Sequence, residues 1–393
     1  MGHWNDKYVI GITGNIATGK SLVRKMLQHL GAYTIDADGL AHQIMAPNAP
    51  AYRPAIEWFG RWIVDGEGRI DREKLGAVAF SHTEALKRLE SITHPIIGRA
   101  IDTLVSRSKK PIVAVEAIKL LEGDLATKVD AIWVIDSTIE KQLDRLMKTR
   151  GLSEEEARKR IAVQNPQADK LKAAHLIIQN NGDPNATFEQ VKAALASRGA
   201  TEESGNTERI VTIDPSTARS DGQTKVRELK EIKIRRPKPA HFAEIAQLLN
   251  ASKGTHMTAD DIMQSFSETS YLAAESNDEI VGIIGFVVEN LITQSSDVAF
   301  LPDVPVEPVL VALIKEMEQA ADDLQSEVSF IYLNRGKSAH IITLLQNQLE
   351  YELKEKVEDI KVPAWREAVR SSQPEGTVIL FKKLREERIL TPF

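Results

Sequence analysis

Gly11-Ile12-Thr13-Gly14-Asn15-Ile16-Ala17-Thr18-Gly19-Lys20-Ser21, directly after the apolar run Tyr8-Val9-Ile10, decides the reading of this 393-residue chain. Within it lies the spacing Gly14-x-x-x-x-Gly19-Lys20-Ser21, which is that of a phosphate-binding loop. Each position has its own task. Gly14 and Gly19 permit tight, often left-handed bends that turn the N–H groups of Asn15, Ile16, Ala17 and Thr18 toward one anion. Lys20 is then placed to reach β- and γ-phosphates, and the Ser21 hydroxyl to ligate Mg²⁺. A strand precedes the loop and an amphipathic stretch (Leu22, Met26, Leu27, Leu30) follows it, so a helix N-terminus adds its dipole to the cradle.

Outward from the loop, residues 8 to about 197 alternate short apolar runs with helical patterns. Tyr8–Thr13, Ala32–Asp36, Ile112–Glu116, Ala131–Asp136 and Leu176–Gln179 read as strands. Thr138–Arg150, with Ile139, Leu143, Leu146 and Met147 on one face, reads as a helix. This rhythm predicts an α/β fold, a parallel sheet flanked by helices. From residue 198 the composition turns to Gly, Ser, Thr, Asp and Arg, so residues 201–229 read as a linker between a domain at 1–200 and another at 230–393. Ile210–Ile213 could still pair as a short strand. In the second unit, Tyr271–Glu275 and Glu279–Phe286 form a hairpin pattern, and Pro308–Leu324 a helix opened by proline.

Composition bounds the alternatives. The 42% hydrophobic and 27% charged content is that of a soluble globular protein, and 393 residues exceed what one core ordinarily holds. The absence of cysteine excludes disulfides, thiolate metal sites and cysteine nucleophiles. A formal charge of −6 argues against nucleic acid as the main partner. The longest apolar runs, such as Val281–Val288, are strand-sized, so no membrane span is expected, and Met-Gly-His-Trp-Asn-Asp-Lys has no secretion pattern. A cytoplasmic protein is the expectation.

The loop alone does not separate GTPases, ATPases and small-molecule kinases. Asp36-Ala-Asp-Gly39 and Thr127-Lys-Val-Asp130 imitate GTPase motifs, but the first comes too soon after the loop and the second precedes its strand. Asp36 and Asp38 instead stand where the second strand ends, on the edge that lines the crevice of a doubly wound sheet. A carboxylate there can accept the proton of an attacking hydroxyl; the plainer role is that Asp38 caps its helix. Arg145, Arg150, Arg158, Lys159 and Arg160 surround Ser153-x-x-Glu156, a capping box. A helical lid bearing these charges could close over a triphosphate and exclude water, and the plainer role is a solvated basic face.

In order and spacing, residues 8 to about 195 resemble the dephospho-CoA kinase family. The resemblance rests on the loop, Ile35-Asp-Ala-Asp38, Gly68-x-Ile70-x-Arg72, His94-Pro95-x-Ile97, Leu120-Leu121-Glu122, Gln142-x-x-Arg145-Leu146, Arg150-Gly-Leu-Ser153, Arg160-Ile161-x-x-Gln164 and Ile178-x-Asn180-x-Gly182. It implies a P-loop NTPase-type sheet with a helical lid, and ATP-dependent phosphorylation of the dephospho-CoA 3′-hydroxyl with Mg²⁺. It also implies that residues 14–21 bind ATP, that Lys20, Asp38 and Arg150 serve catalysis, and that Arg145 and Arg160 contact nucleotide from the lid side. Asp38, His94 and Lys119 would then face the acceptor. Four positions depart from it. Asn15 and Ala17 stand where the family has glycines, and Ala17 tolerates left-handed geometry poorly. Lys119 replaces the proline before Leu120-Leu121 and puts a cation beside the acceptor pocket, and His175 replaces the aspartate after Ala174. Another small-molecule or nucleoside kinase, and a non-catalytic nucleotide sensor, are the competing readings.

Residues 230–393 resemble an α+β GNAT-type N-acetyltransferase fold, which would imply CoA or an acyl-CoA as ligand. The stretch Leu301-Pro-Asp-Val-Pro-Val-Glu-Pro308, however, has no glycine, three prolines and two acids where that family turns backbone N–H groups toward pyrophosphate. Proline removes donors and acids repel phosphate, so a regulatory or binding module, not acetyl transfer, is expected.

Overall fold

The computed structural model describes residues 3, 4, 6–197, 209–213, 227–237, 241–265, 269–336, 338–387 and 389. The first half runs β1 (Tyr8–Thr13), α1 (Lys20–His29), β2 (Tyr33–Asp36), α2 (Ala37–Gln43), α3 (Tyr52–Phe59), α4 (Arg72–Ser81) and α5 (Thr83–Arg107). It continues through β3 (Ile112–Glu116), α6 (Leu125–Lys128), β4 (Ala131–Asp136), α7 (Ile139–Arg150), α8 (Glu154–Ala162), α9 (Gln167–Lys172), β5 (Leu176–Gln179) and α10 (Pro184–Ala196). The five strands lie in the order β2-β3-β1-β4-β5, and every pairing is parallel. Helices cover both faces of such a sheet, so its central strands read as continuous apolar runs; Val9, Ile10 and Ile12 of β1 are fully buried. β1 lies in the middle, so the loop after it opens at the centre of the crevice.

Helix boundaries follow their caps. Asp36 accepts from Gly39 N at 2.9 Å to start α2, Thr138 caps α7, and Ser153 with Glu156 completes the capping box of α8. Gly151, at φ 61°, separates α7 from α8 as a left-handed stop. His94-Pro95 does not end a helix: α5 runs through it for 25 residues. A proline inside a helix costs about 3 kcal/mol. Here burial on both sides offsets that cost, through Ala85 before the proline and Ala100, Ile101 and Leu104 after it.

The second half comprises β6 (Arg209–Thr212), β7 (Glu231–Arg235), α11 (Phe242–Lys253), α12 (Ala259–Ser265), β8 (Ser270–Ser276), β9 (Glu279–Glu289) and β10 (Ile292–Phe300). After these come α13 (Val306–Asp323), β11 (Val328–Asn334), α14 (Ala339–Leu349), β12 (Glu352–Lys354), α15 (Pro363–Ser372) and β13 (Thr377–Lys383). Their sheet has the order β12-β13-β11-β10-β9-β8-β7-β6 and is antiparallel except between β10 and β11, which α13 joins as a crossover. The expected hairpin forms with Asn277 and Asp278 in the turn, both left-handed. β6 falls inside the stretch read as linker; it pairs with β7 and so joins the second sheet, while residues 201–208 and 214–226 lie outside the described residues. No helix among the described residues is long and apolar enough to cross a membrane.

The two halves share one hydrophobic cluster. It contains Tyr33, Leu104, Val113 and Leu120 of the first half together with Leu291, Leu313, Leu324 and Leu345 of the second. Polar contacts reinforce the seam. Gln325 Nε2 donates to Leu104 O at 2.8 Å, Lys110 pairs with Asp323 at 2.8 Å, and Arg236 Nη1 donates to the α1 carbonyl of Gln28 at 2.9 Å.

Candidate active site

The loop after β1 adopts the conformation its glycines predict, with one substitution carrying strain. Gly14 lies at φ 151° and Gly19, the residue capping α1, at φ 97°. A Cβ on Gly19 would come within 1.9 Å of Asn180 Nδ2, so only glycine fits there. Of the two residues standing in place of glycine, Ala17 takes the left-handed position, at φ 58°, whereas Asn15 does not have a positive φ. Ile16 and Ala17 pack beneath Leu143, Leu146 and Ala157 of α7 and α8, which holds the strained turn in place.

The loop N–H groups face the lid side chains. Gln167 Oε1 accepts from Asn15 N at 3.0 Å, and Gln164 Oε1 accepts from Ile16 N at 2.7 Å. Both acceptors are neutral amide oxygens, the polar complement of the donors a phosphate would use. Arg145 is pinned rather than free: its guanidinium donates to the carbonyls of Ala17, Thr18 and Asn180 at 3.0, 3.2 and 2.8 Å. Asn180 Nδ2 adds a bond to Thr18 O at 2.8 Å. Arg150 and Arg160 are exposed at the end of α7 and on α8.

Below the loop lies a compact set of charges. Lys20 is 7% exposed, and its Nζ donates to Asn15 O at 3.0 Å. Burial lowers its pKa and the charge of Arg150 adds to that, against Glu116 and Asp38, which favour the cation. Ser21 Oγ donates to Glu116 Oε1 at 3.1 Å, and Glu116 Oε2 accepts from Arg24 Nε at 2.7 Å. Burial opposes the Arg24 charge, but Glu116, Asp36 and Glu289 more than offset it. Glu116 ends β3 and is 5% exposed. Its sequence signal was present, an apolar strand closing on an acid, but nothing local distinguished it from other strand ends.

Asp38 is not the cap of α2; Asp36 performs that task. The Asp38 carboxylate instead accepts from Ile118 N at 3.3 Å. Burial, then the nearby Asp36, raise its pKa to about 6. The carbonyl of the same Ile118 accepts from Thr13 Oγ1 at 3.1 Å and from Lys170 Nζ at 3.4 Å. Lys170, on α9, is 6% exposed, and burial followed by Lys20 lowers its pKa. One residue, Ile118, thus ties a carboxylate with raised pKa through its N–H to a buried ammonium through its carbonyl.

The remaining acceptor-side residues are placed differently from expectation. Lys119 is not an unengaged cation: its Nζ pairs with Glu90 at 2.6 Å and Glu122 at 3.6 Å, and these carboxylates outweigh burial to raise its pKa. His94 is exposed in the middle of α5, one turn beyond Glu90, with no hydrogen bond or ion pair to the charged set among the described residues. The structure therefore brings together Lys20, Ser21, Asp38 and Arg145 with Glu116, Gln164, Gln167 and Lys170, and leaves Arg150, Arg160 and His94 at the surface.

Oxygen donors at Ser21 and Glu116, one hydroxyl and one carboxylate 3.1 Å apart, fit a hydrated Mg²⁺ that takes its other ligands from phosphate and water. Among the described residues there is no cluster of three His, Cys, Asp or Glu side chains that would hold a metal by protein ligands alone.

Residues 8–185 match the family model described as dephospho-CoA kinase. The dephospho-CoA kinase of Geobacter sulfurreducens is 38% identical over 193 residues, which cover 48% of this chain and 98% of that one. A solved dephospho-CoA kinase from Campylobacter jejuni is 30% identical, with a TM-score of 0.37, over 49% of this chain and 98% of its own. An N-acetyltransferase from Thermoplasma acidophilum, solved with coenzyme A, is 11% identical with a TM-score of 0.31, over 39% of this chain and 98% of its own. With nearly the whole length of the Geobacter enzyme matched by the half that carries the loop and its charged set, the chain belongs to the dephospho-CoA kinase family.

Proposed function

We propose that this chain transfers the γ-phosphoryl group of ATP to the 3′-hydroxyl of dephospho-CoA, giving coenzyme A and ADP. The observation that carries the assignment of roles is Asp38: it is released from helix capping by Asp36, half-buried at the crevice edge, and close enough to Lys20 for their charges to interact. Asp38 Oδ accepts the hydroxyl proton as the 3′-oxygen bonds phosphorus and the bond to the ADP oxygen breaks; the loose transition state makes positioning as important as basicity. Backbone N–H groups of residues 14–19 and the Lys20 ammonium receive the phosphates once Gln164 and Gln167 give way. Arg145 fixes the loop carbonyls, and Arg150 and Arg160 approach from α7 and α8 as the lid closes. Ser21 and Glu116 would hold Mg²⁺, whose charge offsets that of the β- and γ-phosphates.

The second half serves the kinase rather than acetyl transfer. Glu307 in the first turn of α13 and the prolines at 302, 305 and 308 replace the donors an acyl-CoA pyrophosphate would need. A coupled ADP-release assay tests the kinase reading, with dephospho-CoA set against nucleosides and shikimate as acceptors. Turnover dependent on dephospho-CoA and lost on Lys20→Ala is the expected result; no such turnover by the intact chain overturns it.

A further inference from the structure

Consecutive residues of α1, Arg24 and Lys25, are both 3% exposed. Burying two adjacent cations is costly unless a carboxylate faces them. Glu116 faces Arg24 from within the first half. The carboxylate facing both comes from the other half: Glu289 Oε1, at the end of β9, lies 3.3 Å from Arg24 Nη2 and 3.6 Å from Lys25 Nζ. The tip that delivers it is held firmly. Asn290 and Leu291 form its two-residue turn at φ 52° and 65°, and leucine adopts that geometry only at a cost. Burial of Leu291 in the shared cluster offsets the strain. The Asn290 carbonyl accepts from Gln43, and its side chain abuts Gly39, where a Cβ would come within 2.5 Å of Asn290 Oδ1. Gly39 is the residue after Asp38.

Through Nε the Arg24 guanidinium also grips Glu116, and Glu116 accepts from the Ser21 hydroxyl. A continuous series therefore runs Glu289–Arg24–Glu116–Ser21, from the second sheet to the loop. We propose that Glu289 is a positioning residue of the kinase: from the second half it fixes the Arg24 guanidinium, which aims Glu116 at Ser21 and so at the metal–phosphate end of the nucleotide. This rests on the reading of Ser21 and Glu116 given above. A neutral side chain at 289 leaves Arg24 free to swing toward Asp36, 4.0 Å from Nη2, and Glu116 loses its fixed plane.

The test uses the full chain, because the shared core leaves neither half a complete interior. Calorimetry measures ADP binding with Mg²⁺ and with EDTA, alongside melting temperatures, for Glu289→Ala, Glu289→Gln and, as a control at the same seam, Lys110→Gln. Glu289→Ala is expected to weaken ADP binding in Mg²⁺ about tenfold and Glu289→Gln about threefold, since the amide oxygen still accepts from Arg24. In EDTA all three bind as the native chain does, and Lys110→Gln also matches it in Mg²⁺. Loss of affinity equal in Mg²⁺ and EDTA, an equal loss in Lys110→Gln, or no loss in Glu289→Ala overturns the proposal. No acceptor enters these titrations, so a failure of dephospho-CoA turnover would strike the kinase reading alone.

Discussion

Asp38→Asn makes the sharpest prediction, because it should stabilise the protein while disabling it. The carboxyl is moved from an ordinary 3.8 to about 6, first by burial and then by Asp36. A shift of that size corresponds to about 3 kcal/mol between the two protonation states. The folded pKa lies above the unfolded one, so the neutral acid favours the native state fully below pH 3.8, and that stability is lost as pH rises through about 6. Asparagine stays neutral throughout and retains an oxygen to accept from Ile118 N. At pH 8 the variant should therefore be more stable by up to about 3 kcal/mol, and near pH 4 the two proteins should converge. With about 2 cal/mol/K of unfolding entropy per residue, the gain at pH 8 is a rise of about 3 to 4 °C in melting temperature. Parallel thermal melts of both proteins without nucleotide at pH 4 and pH 8 read this directly. Turnover by the native chain should rise with pH through about 6 and then level, while the variant binds ATP but turns over at least about a hundredfold more slowly. Equal melting temperatures at pH 8, or a gap that persists at pH 4, would refute the reasoning and return Asp38 to an ordinary surface carboxylate.

Two further substitutions probe the loop. Ala17→Gly removes the left-handed strain at φ 58° and should stabilise the chain by about 1 kcal/mol, less what a more flexible unfolded chain subtracts; a lower melting temperature would show that packing under α7 and α8 matters more than the backbone. Gln164→Ala frees Ile16 N from its lid partner and should tighten ADP binding about fivefold, the worth of one exchanged hydrogen bond. Weaker binding would instead place Gln164 among the groups that hold the nucleotide.

The elements that could be read from sequence are those whose cause is local. The loop announced itself by spacing, β1 and β9 by apolar runs, α8 by Ser153 and Glu156, and the hairpin by Asn277-Asp278. The choice between Asp36 and Asp38 as helix cap was not local, since the two stand two residues apart at the start of α2 and only the backbone decides which carboxylate reaches Gly39 N. Glu116, Gln167 and Lys170 needed the sheet order and the return of the lid, contacts that join residues about 50 to 150 positions apart. The partner of Lys119, Glu90, lies 29 residues away on a helix that continues through Pro95, so nothing beside Lys119 in the sequence marked the pair. Ala17 is the instructive case: sequence comparison marked the substitution, but only φ showed which of the two replaced glycines carries strain.

The hydrophobic cluster common to both halves bears on the order in which the chain is made. Tyr33, Leu104 and Leu120 find their final neighbours in Leu291, Leu324 and other residues synthesised long afterward. At about 5 to 20 residues per second, the ribosome needs about 10 s or more to add the residues between Leu120 and Leu324. For that interval the phosphate loop can fold, yet an apolar face of its sheet stands uncovered beside it. Newly made first halves should therefore be the species that chaperones hold and that aggregates collect, and a ribosome stalled within the second sheet would release a kinase already shaped but still sticky.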